Sequence, residues 1–435
     1  MRTLLQQLST TLEGELFYDD TIRTLYATDA SAYREMPLGV AIPRSEADIK
    51  KLVAFANTHN TALIPRTAGT SLAGQVVGSG IVVDVSKYFT KIIELNTTEN
   101  WVRVQPGVIR DELNFFLKPH GLFFGPETST ANRAMIGGMV GNNSCGSNSI
   151  VYRSTREHLI EIKAILSDGS EALFKALDLD AFHAKCELPT LEGKIYHSIR
   201  HLLGNYENQE EIRKEFPKKT VERRNTGYAV DMLLETAPFS VGGDHFNFCK
   251  LIAGSEGTLA FITEIKLNVV PLPKEAGLLC VHFNTIDESL RANLIGLQYG
   301  PSASELIDHY ILECTKDNIE QRKNRFFVQG DPGAILVIEY TRDTREEITA
   351  IAQKVETDMR AAGLGYYFPL LFGEDTKKIW TLRKAGLGLL SNLPGNEKAV
   401  PVIEDTAVDV NDLPAYIREF NEILKKYNLY SVHYA

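Results

Sequence analysis

A stretch rich in glycine and side-chain amides, Gly125 to Arg156, constrains the fold of this 435-residue chain more than any other feature. Glycines, hydroxyls and amides dominate it, and only a short apolar run at residues 135–140 interrupts them. Glycine permits positive φ and close approach of the backbone, so successive N–H groups can form an anion-binding nest. Such a polar loop is costly to bury unless something satisfies its backbone groups. The stretch therefore predicts either a ligand-binding loop or a long surface loop with tight turns.

Two further glycine-containing loops favour the ligand-binding alternative. Residues 65–75 (PRTAGTSLAGQ) follow an apolar run at 62–64, and residues 254–258 (GSEGT) precede residues 259–267, whose second half alternates as a strand does. The sequence has neither a G-x-G-x-x-G motif between a strand and a helix nor a G-x-x-x-x-G-K-[ST] motif. A nucleotide site of the NAD or ATP type is therefore not expected.

In their order along the chain, the three loops resemble the FAD-binding domain (PCMH type) of the vanillyl-alcohol oxidase flavoproteins. Within that superfamily they are most similar to the glycolate oxidase and D-lactate dehydrogenase branch. The resemblance is strong over residues 35–271 and weaker over residues 272–435. It implies an α+β fold with an N-terminal helix and connector (1–34), an FAD-binding domain of two α+β subdomains (35–271) and a partial cap or substrate domain (272–435). The patterns after residue 275 suit an antiparallel sheet with helices on one face.

The resemblance implies that FAD is bound without a covalent bond, by all three loops. The backbone at residues 67–71 would hold the pyrophosphate, although family members usually have three glycines where this chain has Thr67-Ala68-Gly69. The second loop would run past the pyrophosphate and the flavin ring, and the backbone of Ile262 would meet the pyrimidine edge. Cys145 is expected to be a small packed residue. The predicted cofactor-binding residues are Pro65, Arg66, Thr67, Ala68, Gly69, Thr70, Ser71, Gln75, Pro126, Glu127, Thr128, Gly137, Gly138, Gly141, Asn142, Asn143, Ser144, Gly146, Ser147, Glu256, Gly257 and Ile262.

A substrate site is implied in the C-terminal half. Residues 380–383 (WTLR) resemble the family's Trp-x-x-Arg, whose arginine binds a substrate carboxylate. A guanidinium suits that task because it pairs with two oxygens at once. Lys384 stands where the family often has Glu, and a surface arginine on a helix is the alternative interpretation of Arg383. Lys398 matches a second cluster of the branch, close to Glu404 and Asp405, which also fit an ordinary acidic loop.

The implied activity is oxidation of a 2-hydroxy acid such as D-lactate, glycolate or 2-hydroxyglutarate. The hydride would pass to flavin N5, and the electrons would leave to an iron–sulfur domain or a quinone. The family's His-x-Gly-x-Gly-x-x-His motif, which supplies metal ligands and a base, is expected beyond Ala435. No metal ligand is predicted here, His433 is interpreted as structural or exposed, and an inactive fragment is one expectation. The alternatives are a non-redox flavoenzyme such as the ether-lipid synthases, and a flavin-binding electron-transfer subunit without its own substrate site.

Composition limits the partners. The net charge is −10 without a long basic run, so nucleic acid is not expected. No apolar run approaches the ~18 residues of a membrane helix, and the N-terminus lacks the apolar core of a signal peptide. Five scattered cysteines without a CxxC pair favour a reducing compartment. A cytoplasmic protein is expected, with peripheral association with the inner face of the membrane as the alternative.

Overall fold

The computed structural model describes residues 1–224, 227–391, 395–396, 398–400, 403 and 406–433. Glu404 and Asp405 of the predicted substrate cluster lie outside the described residues. The chain forms two compact units, which are described separately below. The first unit comprises residues 1–145, 154–217 and 224–271, and the second comprises residues 146–153, 218–223 and 272–435.

The strands, in chain order, are β1 (Glu15–Phe17), β2 (Gly39–Ile42), β3 (Leu63–Arg66), β4 (Ile81–Asp84), β5 (Ile92–Asn96), β6 (Trp101–Val104), β7 (Leu122–Phe123), β8 (Leu159–Ile165), β9 (Glu171–Lys175), β10 (Phe261–Asn268), β11 (Val270–Pro271), β12 (Glu275–Phe283), β13 (Ala303–Asp308), β14 (Ala334–Arg342) and β15 (Leu370–Phe372).

The helices are α1 (Arg2–Ser9), α2 (Asp20–Leu25), α3 (Glu46–His59), α4 (Arg110–Leu117), α5 (Ile136–Asn142), α6 (Ser149–Tyr152), α7 (Leu179–Cys186), α8 (Leu191–Gly204), α9 (Tyr206–Glu215), α10 (Val230–Leu234), α11 (Cys249–Ile252), α12 (Ile286–Leu297), α13 (His309–Lys316), α14 (Ile319–Arg322), α15 (Arg345–Ala361), α16 (Glu374–Ser391) and α17 (Leu413–Lys426). Strands and helices mix throughout the chain, which confirms the predicted α+β class.

The first unit contains two main sheets. One has the order β1-β2-β4-β3, in which β2, β4 and β3 run parallel and β1 pairs antiparallel with β2. The other is antiparallel, with the order β5-β6-β10-β8-β9. Residues 1–34 contain a strand, β1, that the predicted helix and connector did not include; it pairs at the sheet edge over three residues, too few to show an apolar period in the sequence.

The second unit is built on an antiparallel sheet of order β13-β14-β12-β15. One face, with Leu279 and Val281, packs against α12 and α15, and the other, with Leu278 and Cys280, packs against α13 and α16. The prediction of helices on one face was therefore wrong. The sequence carries the signal, because β12 is apolar without alternation, a pattern typical of a strand covered on both sides.

His282 lies near the C-terminal end of β12 and is fully buried. Its Nε2 accepts a hydrogen bond from the Gln329 N–H at 3.3 Å, so its Nδ1 carries the proton and donates to the Cys280 carbonyl at 3.0 Å. Burial lowers the pKa of His282 to about 4. The imidazole is therefore neutral in the folded protein, and it holds residue 329 against β12.

Candidate functional site

The three predicted loops meet in the first unit. The first two residues of the 65–75 stretch belong to β3, so the first loop begins at Thr67 (residues 67–75). Thr67 lies so close to Gly138 of α5 that a Cβ on Gly138 would be 2.6 Å from the Thr67 Oγ1. The Glu256 N–H of the third loop, which is taken with the preceding Ala253 as residues 253–258, donates to the Gly141 carbonyl at 2.9 Å. The Gln75 amide of the first loop donates to the Glu256 carboxylate at 3.4 Å. One site is therefore built from segments almost 200 positions apart in sequence.

The first loop presents a row of backbone donors. Among the described residues, none accepts a hydrogen bond from the N–H groups of Ala68, Gly69, Thr70 and Ser71. These residues are partly exposed, so their N–H groups are accessible to water or to a ligand. Successive N–H groups in a loop of this kind form an anion-binding concavity. The donor set fits the diphosphate of a dinucleotide.

We expect Gly138→Ala to weaken binding at this site. The new methyl group would lie 2.6 Å from Thr67 Oγ1, which forces the β-branched Thr67 side chain and the first loop to move. The double variant Gly138→Ala/Thr67→Ala removes the clashing hydroxyl and should recover most of the loss. Titration of both proteins with FAD, followed by flavin fluorescence, measures the difference. Equal affinities for the single and double variants would contradict the close contact.

The predicted residues Pro126 and Glu127 are held by an arginine that the sequence analysis did not single out. Arg110, only 7% exposed, donates from Nε to the Pro126 carbonyl at 3.1 Å. Its Nη1 lies 3.9 Å from the Glu127 carboxylate. Thr128 completes this turn through a 3.3 Å contact between its hydroxyl and that of Thr130.

Asn143 and Arg156 tie the second loop to the third. The Asn143 amide is fully buried, and its oxygen accepts from the Ser154 hydroxyl at 2.8 Å and from the Arg156 N–H at 2.9 Å. The Arg156 guanidinium donates to the Lys250 carbonyl at 2.8 Å and to the Ala253 carbonyl at 2.7 Å. Burial lowers the pKa of Arg156. The Asn143 side chain is used within the protein, so its predicted contact with a cofactor stays a prediction.

The remaining predicted residues are distributed as follows. Asn142 accepts from the Ser144 hydroxyl at 2.9 Å, and Cys145 is buried. Ile262 lies on β10 opposite Ala164, where the register shifts before Glu264. Gly146 and Ser147, by contrast, belong to the second unit and not to the group of loops in the first unit.

The second unit buries Arg383 in a polar cluster. Arg383 lies on α16, and its Nη2 pairs with the Glu305 carboxylate of β13 at 2.5 Å, with side chains only 8% and 12% exposed. Glu339 of β14, on the same sheet face, accepts from the Trp380 indole at 3.2 Å and from the Ser302 hydroxyl at 2.9 Å. The alternative of a surface arginine is therefore wrong. A buried guanidinium requires a counter-charge, and Glu305 provides it.

Lys398 is not buried with Arg383, because its side chain is exposed. A separate cluster that the sequence analysis did not predict consists of His309, Glu313 and Asp331, whose ligand-type atoms lie within 4.8 Å of one another. The Lys316 ammonium pairs with Glu313 and, at 3.4 Å, with Asp331. A cation of the protein already pairs with both carboxylates, so we assign no metal to them.

Two protein-family models match the chain. "FAD binding domain" matches residues 37–172, and "FAD linked oxidases, C-terminal domain" matches residues 272–435. D-2-hydroxyglutarate dehydrogenase of Pseudomonas putida is 33% identical over 429 residues, which are 96% of this chain and 41% of that protein. Glycolate oxidase subunit GlcD of Bacillus subtilis is 22% identical, over 96% of this chain and 75% of that protein.

The chain belongs to the FAD-linked oxidases of the vanillyl-alcohol oxidase type. Within them it falls in the glycolate oxidase and D-lactate dehydrogenase branch, as the sequence predicted. A solved structure of alkyldihydroxyacetonephosphate synthase, 14% identical, has the same fold, with a TM-score of 0.64 over 98% of this chain and 75% of that one. The chain spans about two-fifths of the length of the D-2-hydroxyglutarate dehydrogenases that it matches. Among the described residues, no helix has the length and apolar character needed to cross a lipid bilayer.

Proposed function

We propose that the chain is the flavin-binding and substrate-binding part of an FAD-dependent 2-hydroxy acid dehydrogenase. The observation that carries the proposal is the row of four N–H groups in the first loop, at the meeting point of three loops in a chain with an FAD-binding domain. The names of the relatives, dehydrogenases and oxidases of 2-hydroxyglutarate, glycolate and lactate, support the substrate class.

In this proposal the N–H groups of Ala68 to Ser71 hold the FAD pyrophosphate without a covalent bond, and Ile262 contributes its backbone to the flavin edge. Bound FAD supplies the two-electron acceptor for the α-hydrogen of the hydroxy acid. An iron–sulfur domain or a quinone as the next acceptor stays a prediction.

Arg383 is the proposed partner of the substrate carboxylate. Its side chain is shielded from water, so a charge-assisted hydrogen bond to a carboxylate is stronger there than at an exposed site. Glu305 of β13 accepts a hydrogen bond from the Arg383 guanidinium. This bond fixes the orientation in which the guanidinium can bind a second carboxylate. Lys398 is a proposed second cation for the same carboxylate.

Anaerobic bleaching of the flavin tests the proposal. The purified chain should show a two-banded flavin spectrum whose chromophore stays in solution after acid precipitation, and D-2-hydroxyglutarate, D-lactate or glycolate should bleach it. A protein that binds no FAD would refute the cofactor site. A flavin that no hydroxy acid reduces would favour a non-redox flavoenzyme or an electron-transfer subunit.

We expect Arg383→Ala to raise the substrate concentration for half-maximal bleaching about 100-fold, since it removes one partner of a desolvated charge pair. Because this change leaves Glu305 as a buried unpaired charge, the double variant Arg383→Ala/Glu305→Gln is measured beside it. The control is Arg342→Ala, which removes an arginine that donates to the carbonyls of Tyr299 and Gly300 in the same unit. An unchanged concentration dependence in both Arg383 variants would contradict the assignment of Arg383.

A further inference from the structure

The first loop rests on a segment that lies outside all three glycine-containing motifs. Residues 27–35 form a hairpin closed by the bridge between Thr28 and Arg34 and by a 2.9 Å hydrogen bond from the Glu35 N–H to the Ala27 carbonyl. We call residues 27–35 the N-terminal hairpin. Its Ala30 N–H donates to the Gly69 carbonyl at 3.1 Å, so the hairpin holds the first loop directly.

Arg66 is fixed between this segment and the loop. Its Nη1 donates to the Thr28 carbonyl at 2.9 Å, and its guanidinium carbon lies 5.1 Å from the centre of the Tyr26 ring. Tyr26 is fixed in turn, because its hydroxyl donates to the buried Asp84 carboxylate at 2.6 Å. Arg66 is the only basic residue between His59 and Lys87. It therefore contributes one immobile positive charge at the first loop.

Gly69 lies against the same guanidinium. A Cβ at this position would be 2.7 Å from Nη2 and 3.0 Å from Cζ of Arg66, and the residue has φ of +65°. Only glycine adopts that conformation without strain and leaves room for the planar cation. The Arg66 guanidinium therefore contacts both the first loop, at Gly69, and the Tyr26 ring.

We propose that Tyr26 and the N-terminal hairpin are a positioning element of the FAD site, which holds Arg66 against Gly69 and thereby fixes the first loop in its diphosphate-binding conformation. The proposal rests on the proposed function, since it takes FAD as the ligand. Its physical basis is preorganisation: a loop that is ordered before binding does not lose that conformational entropy when the ligand arrives. The fixed guanidinium adds a charge matched to a diphosphate.

Titration of the apoprotein with FAD tests this positioning role. Tyr26→Ala removes the ring under Arg66 and should weaken FAD binding about tenfold. Arg66→Lys keeps the charge but loses the planar group, so a similar loss is expected. Tyr26→Phe keeps the ring and loses only the hydrogen bond to Asp84, and it should give a smaller effect.

Tyr88→Ala is a matched control. The Arg44 guanidinium lies 4.7 Å from the Tyr88 ring, and the Tyr88 hydroxyl donates to the Glu15 carboxylate at 2.7 Å, which repeats the arrangement at Tyr26 away from the first loop. Thermal unfolding of the apoproteins reports any general loss of stability. Weaker FAD binding in the Tyr26 variant alone supports the proposal. Equal FAD affinities of the Tyr26 and Tyr88 variants overturn it, and a wild-type chain that binds no FAD overturns the proposed function together with this inference.

Discussion

Arg156→Ala is expected to abolish FAD binding at micromolar concentrations and to lower the free energy of unfolding of the first unit by about 4 kcal/mol. The guanidinium makes hydrogen bonds to two carbonyls, the buried one of Ala253 and the partly buried one of Lys250, and each such bond to a charged group contributes about 1.5–3 kcal/mol. The variant leaves both carbonyls without this partner. Gly254, which lies against the guanidinium, would lose the surface that supports it.

The effect on FAD follows from the backbone of the third loop. Gly254, Glu256 and Gly257 all have positive φ, which is costly for a residue such as Glu256 and persists only where the surroundings enforce it. Without Arg156 the loop can relax, and the hydrogen bond from Glu256 to Gly141 is expected to break.

Urea denaturation and FAD titration measure the two effects of the Arg156 change. Arg156→Lys keeps the positive charge but replaces the planar fork with a single ammonium group, so its effect should be intermediate. Arg103→Ala is the control, because Arg103 pairs with Glu161 at 2.9 Å on the sheet of the same unit and does not support the third loop. Normal FAD affinity in Arg156→Ala would refute the positioning role of Arg156.

His282 is expected to make the second unit acid-sensitive, with about 3 kcal/mol of stability lost between pH 6.5 and pH 4. Burial lowers the pKa of His282 to about 4, below the value of about 6.5 in an unfolded chain. In this interval the unfolded chain binds a proton that the folded chain does not. The contribution is therefore complete above pH 6.5 and disappears as the pH falls through 4.

The measurement uses the two tryptophans. In a Trp101→Phe background, Trp380 alone reports the second unit. Urea denaturation at several pH values is compared with that of His282→Gln, whose amide can make similar hydrogen bonds and does not titrate in this range. Compared with wild type, His282→Gln should have a lower free energy of unfolding at pH 7.5, and this free energy should fall less steeply as the pH is lowered to 4. The exposed His120→Gln is the control, and parallel pH profiles of wild type and His282→Gln would contradict the prediction.

The motifs predicted three glycine-containing loops that act together, and these loops do contact one another, because glycine positions report close backbone approaches that only a few folds require. The contact of Gly138 with Thr67 is such an approach. The orientation of side chains could not be predicted in this way. In the sequence Asn143 resembles a polar residue that binds a ligand, yet its buried amide oxygen accepts hydrogen bonds from Ser154 and Arg156.

No sequence pattern marks the residues that support the site from outside the three motifs. Tyr26 and Arg110 act through contacts between segments distant in sequence, and no local pattern distinguishes them from ordinary surface residues. A signal for the fold of the second unit was present but misread, since the unbroken apolar run of β12 indicates a strand covered on both faces. The burial of Arg383 could not be predicted from the sequence either. The helical pattern of α16 also fits a surface helix, and only the fold shows that Glu305 of β13 faces Arg383.

The chain passes between the two units five times, and this has a consequence for folding during synthesis. Residues 146–153 are synthesised within the second loop, but their helix α6 packs with β13, which follows about 150 residues later, or roughly 10–30 s at ordinary rates of translation. Until then the eight residues have no sheet to pack on. Segments of the two units therefore alternate along the sequence. A chain that ended at Pro271 would contain residues 146–153 without the strand β13 on which α6 packs.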